Sequence, residues 1–193
     1  MRVERLLLVF FMLAAGCATV HRSSIRPDYA TSDAAKAVRV AIVTAPLPDG
    51  NEAVGQLWGA ITRKYIYDHR DFIPKASIAA ATAPKDVCQA GTDGVMLLVP
   101  TVHKQGDSVE AAVVATLNRC GDNEVLWSAD ASGKWDSNDE TLADTTRIFT
   151  EKFGDVVKPY VAPSYRLLRA VLDTLPKPML DDAGQMEKIE AAE

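Results

Sequence analysis

The sequence predicts an α/β domain of the α+β kind: a mixed five-stranded sheet with an antiparallel meander, packed by an N-terminal helix and a long broken C-terminal helix. Three observations predict it. VRVAIVTA at 38–45 is a continuous apolar, β-branched run closed by Pro46, Pro48 and Asp49-Gly50, followed by an amphipathic stripe. Three further runs over 94–135 are separated only by short polar turns. Helical spacing then resumes from Glu140.

Met1–Cys17 (MRVERLLLVFFMLAAGC) precedes this domain. Arg2 and Arg5 make a basic start, Leu6–Met12 is uninterrupted apolar sequence, and small residues lead into Cys17. Those are the three parts of a secretory signal. The apolar run is too short for a bilayer core of about 30 Å, which needs about 20 helical residues. We therefore assign 1–16 to a signal peptide, removed between Gly16 and Cys17. An ordinary signal peptide that leaves Cys17 as a free thiol is the alternative.

Removal of 1–16 takes two arginines and one glutamate, so the formal charge moves from −5 to −6. With no basic run to neutralise phosphates, nucleic acid is an unsuitable partner. Ala18–Lys36 is polar, without apolar periodicity, and is expected to be a flexible tether over 17–36. Its 19 residues could extend about 60 Å. The domain is then expected over 37–176, and 177–193 as a loose acidic tail.

Within the domain, 38–45 reads as a strand covered on both faces. Val54, Leu57, Trp58, Ile61 and Tyr65 form the stripe of the N-terminal helix, with Asp49 or Asn51 as its cap. Gly50 and Gly55 are spaced as in a phosphate loop, but Gln56-Leu57 stand where Lys-Ser/Thr is required. Phe72–Ala79 is a weaker strand, placed near an edge by Pro74. Ala83–Ala90 reads as a short helix ending at Gly91. Gly94–Val102 is another buried run; Val109–Leu117 and Val125–Trp135 alternate in period two. Leu142, Ile148, Phe149, Phe153, Val157 and Tyr160 make a helix that Gly154 and Pro159 should kink. Pro163 should begin a second segment reaching Leu175.

Cys88 and Cys120 remain once Cys17 is set aside. An exported chain folds where disulfides persist, so they are expected to pair; two free thiols are the alternative. A hairpin centred on Gln105-Gly106 would set Cys120 opposite residue 91, one helical turn from Cys88. His21, His69 and His103 stand in no ligand-like spacing, so neither metal nor cofactor is expected. Asp136, Asp139 and Glu140 read as a solvated loop and helix cap. No GxSxG-type nucleophile motif surrounds Ser164, and no catalytic residue is assigned. Trp58 and Trp127 fall on core faces. Trp135, at a strand end beside Gly133 and Lys134, is the one candidate for an exposed ligand-stacking ring.

Several segments resemble known families. LAAGC resembles the lipobox of bacterial lipoproteins, with Leu13 one position further from the cysteine than usual. That resemblance implies acylation of Cys17 by diacylglycerol and palmitate-type chains, and more than one chain is what stable anchoring requires. Ala18, not acidic, implies the outer membrane. VRVAIVTAP, GTDGVMLLVPTV and EVLWSADASG resemble strands of the TolB amino-terminal domain fold, shared by CsgG-like and LpoB-like envelope lipoproteins. YVAPSYRLLRAVLDTLPKP and EKIE are most similar to a family of uncharacterised predicted lipoproteins of myxobacterial–leptospiral type. The expectation is a periplasmic lipoprotein that docks an envelope protein without catalysis. A small-molecule or glycan binder and a self-assembling ring are the alternatives.

Overall fold

A computed structural model describes residues 17–79 and 87–191. The class is mixed α/β, as expected, but the sheet has six strands rather than five, in the order β1-β6-β5-β4-β2-β3. The strands are β1 (Thr19–Ile25), β2 (Arg39–Thr44), β3 (Ile73–Ala79), β4 (Gly94–Gln105), β5 (Ser108–Arg119) and β6 (Val125–Asp136). The helices are α1 (Tyr29–Ser32), α2 (Glu52–Arg70), α3 (Ala143–Phe153), α4 (Lys158–Leu172) and α5 (Asp182–Glu190).

β2 lies parallel to both β3 and β4. β4, β5 and β6 form the antiparallel meander. Its first turn is Gly106-Asp107, because Gln105 pairs with Ser108. Gly106 holds φ of 60°, and glycine at the first of two loop residues suits a right-twisted hairpin. The turn is therefore one residue further on than the sequence suggested.

α2 and α4 cover one face. Val40 and Ile42 of β2 join Leu57, Trp58 and Ile61 of α2 and Leu167, Leu168 and Val171 of α4 in the main core. Ala41 and Val43 point the other way, into a second cluster with Val87 and Val95. β2 is thus buried on both faces, as its unbroken apolar run requires. Asn51 caps α2, its Oδ1 accepting from Val54 N–H at 3.2 Å. Pro74 sits on the edge strand β3, where its missing donor costs least.

The terminal segments correct the sequence reading. Residues 18–36 are not a tether. β1 pairs antiparallel with β6, Tyr29, Ala34 and Ala37 are buried, and Asp33 is wholly buried against Arg119, Nη1 to Oδ1 2.5 Å. Nor is 177–191 loose: Glu187 of α5 pairs with Arg39 at 2.6 Å and with Lys75, and Asp181 caps the helix by accepting from Gly184 N–H. Polar composition concealed both because scattered buried residues and charge pairs, not a periodic apolar stripe, hold them.

The C-terminal helix breaks at Gly154 (φ 86°), as expected. Pro163 does not begin a new segment, however. α4 runs through it with Pro159 in the first turn, and Pro163 is buried among core residues. Losing one backbone bond in the second turn is offset by that packing. The first half of the short helix expected over 83–90 lies outside the described residues.

Candidate functional site

Of the residues singled out by sequence, Gly16 lies outside the described residues. Cys17 is exposed, and only Ala18 separates it from β1. Ala18 packs on the main core, so the cysteine is held against the body of the domain.

Cys88 and Cys120 form a disulfide, Cα–Cα 5.5 Å. Because the hairpin register differs by one turn position, Cys120 stands beside Asp93, whose carbonyl accepts its backbone N–H at 2.9 Å. Both cysteines pack on the second cluster, so the bond fastens the chain covering β2 and β4.

Trp135 corrects its expectation: it is only 5% exposed and presents no stacking face. Its ring folds back over Gly133, where an added Cβ would meet Cη2 at 2.2 Å, so the glycine makes the room. Trp58 and Trp127 are buried, as expected. The indole of Trp127 donates to Thr174 Oγ1 at 3.1 Å, whereas Trp135 Nε1 is buried without a hydrogen-bond partner.

Cys17 and Trp135 border the same cavity, of about 540 Å³. The polar face of α4 makes its wall through Tyr165, Arg166, Arg169 and Asp173, and Thr141 and Leu142 close one end. Arg166 is spoken for. Its Nε donates to Asp139 at 2.5 Å and its Nη2 to Thr141 Oγ1 at 2.9 Å. That guanidinium holds the Asp139 carboxyl below its ordinary range, and Asp139 also caps the turn at 140–142. Asp173 accepts from Tyr65 Oη at 2.5 Å; burial, then this bond, pushes the tyrosine up to about 12. Arg169 makes only a long contact to Asp173, 3.9 Å, and is two-thirds exposed. The cavity therefore offers one guanidinium with only a long ionic contact, ring edges and the exposed Cys17.

Sequence reasoning read α4 for its apolar stripe and passed over this wall. The signal was there: Arg166 and Arg169, three apart, share a helix face. Asp136, Asp139 and Glu140 form no metal cluster. No group of three His, Cys, Asp or Glu suited to a metal occurs among the described residues. Ser164 is fully buried and His103 lies on the exposed half of β4, so the two do not meet.

No family model matches the chain, and no curated protein matches it. Among solved structures, the PelC dodecamer from Paraburkholderia phytofirmans is similar at 19% identity, TM-score 0.46, over 75% of this chain and 97% of that one. Lipoprotein GNA1162 from Neisseria meningitidis is similar at 19% identity, TM-score 0.38, over 58% of this chain and 96% of that one. The hypothetical protein CT253 from Chlamydia trachomatis is similar at 11% identity, TM-score 0.35, over 69% and 93%.

Proposed function

We propose that this chain is a lipid-anchored periplasmic module, acylated on Cys17, which docks an envelope protein without catalysis. The observation that carries the reading is the cysteine itself. It follows a basic start, an apolar run and small residues, and it lies exposed at the surface of the folded domain. Acyl chains there would hold the protein on the membrane without crossing it. No helix among the described residues is long and apolar enough to cross a bilayer. Placement on the periplasmic face of the outer membrane rests on Ala18 and on the lipoprotein resemblance. A docking role accords with the burial of Ser164, which keeps that hydroxyl away from solvent.

The ligand-binding alternative relied on an exposed Trp135. Its burial removes the stacking surface and leaves only a ring edge in the cavity.

In-cell crosslinking of the native protein beside Cys17→Ser tests the proposal. One envelope protein captured repeatedly, and lost in Cys17→Ser, is expected. Self-crosslinks alone would replace docking by assembly into a ring. An unacylated Cys17 in the mature protein, measured by mass, would overturn the anchor.

A further inference from the structure

The anchoring cysteine sits not at the end of a spacer but on the rim of a cavity in the folded domain. Resting on the anchor reading above, we propose that the face formed by Cys17, the turn at 139–142 and the polar side of α4 docks flat on the bilayer, with Arg169 in contact with phospholipid headgroup phosphates.

Chain length forces the geometry. From Cys17 to the first residue of β1 the backbone reaches about 7 Å at full extension. The headgroup layer of one leaflet is about 5–8 Å deep, from a core of about 30 Å in a bilayer of about 40–45 Å. If the acyl chains of Cys17 enter the hydrocarbon, β1 begins within or against the headgroups. The domain has no slack to stand off, because Ala18 is packed on the core and β1 is hydrogen-bonded to β6.

The chemistry of the face suits that position. Arg169 is two-thirds exposed, and its carboxylate neighbour Asp173 is engaged by Tyr65 at 2.5 Å. Its guanidinium meets Asp173 only at 3.9 Å through Nε, which leaves the Nη donors for phosphate oxygens. Tyr165, half-buried on the same wall, contributes an amphipathic ring at the level where such rings favour a membrane interface. The opposite end of the sheet carries Arg26, Arg119, Asp122 and Glu124, already paired with one another. Both guanidiniums there are engaged by carboxylates.

The test uses the full lipidated protein in vesicles of phosphatidylethanolamine and phosphatidylglycerol carrying a phospholipid with a photoactivatable headgroup. Mapped crosslinks should concentrate at 139–142 and 165–170, with few at 119–124. Arg169→Glu, folded by circular dichroism, should lower crosslinking at 165–170 several-fold. Mass analysis of the N-terminal peptide separates the two readings. If Cys17 carries no lipid, the anchor reading fails. If Cys17 is acylated but crosslinks spread evenly or are absent from 165–170, only the docked orientation is overturned. Unchanged crosslinking in Arg169→Glu would remove the arginine from the contact.

Discussion

The two edges of the sheet are held by different means. β3 is secured by apolar burial: Phe72, just before it, is wholly buried in the core with α2, Ile73 is wholly buried too, and α5 clamps the rim through Glu187 to Lys75 and Arg39. β1 buries almost nothing, with six of its seven residues exposed. It is held by the backbone ladder to β6 and by polar partners, His21 to Ser132 and Ser24 to Ser128 at 2.8 Å each. What fixes β1 lies downstream, where Tyr29, Ala34 and Ala37 plug the core and Asp33 meets Arg119. An edge strand can thus be stable either in its own right or on loan from the segment that follows it.

Four changes break or sharpen this contrast. The largest expected loss is on the β2–β4 side. Replacing Cys88 and Cys120 by serine opens a loop of 32 residues and should cost about 3–4 kcal/mol by chain entropy. Denaturant unfolding measures it, and exchange protection should fall first in β2 and β4. Next comes Arg119→Ala, which strips a fully buried carboxylate of its main partner. The cost should be about 3 kcal/mol, at the lower end for broken buried pairs because Arg26 stays at 3.7 Å from Asp33. Amide exchange should then rise in β1 more than in β3; equal loosening of both edges would erase the contrast.

Gly133→Ala drives a methyl into the Trp135 ring and should cost about 1–3 kcal/mol, with shifted tryptophan emission. The smallest effect is Glu187→Gln, under about 1 kcal/mol, since the ion pair lies at the surface. Hydrogen bonds from Arg39, then Lys75, hold Glu187 at about 2, below its ordinary 4.5. Its contribution is therefore full above pH 4.5 and lost as the pH falls toward 2. The amide shift of residue 187 should move over that window in the wild type, and that step should be missing in Glu187→Gln.

The apolar parts of this fold were legible. β2, α2, the meander and the α4 stripe stood out because burial imposes a period on the sequence. β1, α5 and the Asp33 pair did not, because backbone ladders and charge pairs impose none. RPDYATSDAAK reads as linker until Arg119, 86 residues away, is known to face Asp33. The disulfide was legible from compartment and count. The cavity was not, since its wall joins α4 to a cysteine that the chain separates from it by more than a hundred residues.

The pairing of β1 with β6 also sets an order of events during synthesis. His21 and Ser132 are 111 positions apart, so β1 cannot find its partner until most of the chain has been made. Hairpins such as β4–β5 can close early, while long-range pairing is slow because a large loop must be closed first. A chain made from its N-terminus must therefore keep β1 waiting, polar and unpaired, through most of its synthesis. Its His, Arg and Ser content makes it a poor template for wrong partners in that interval. The first strand out is the last to be placed.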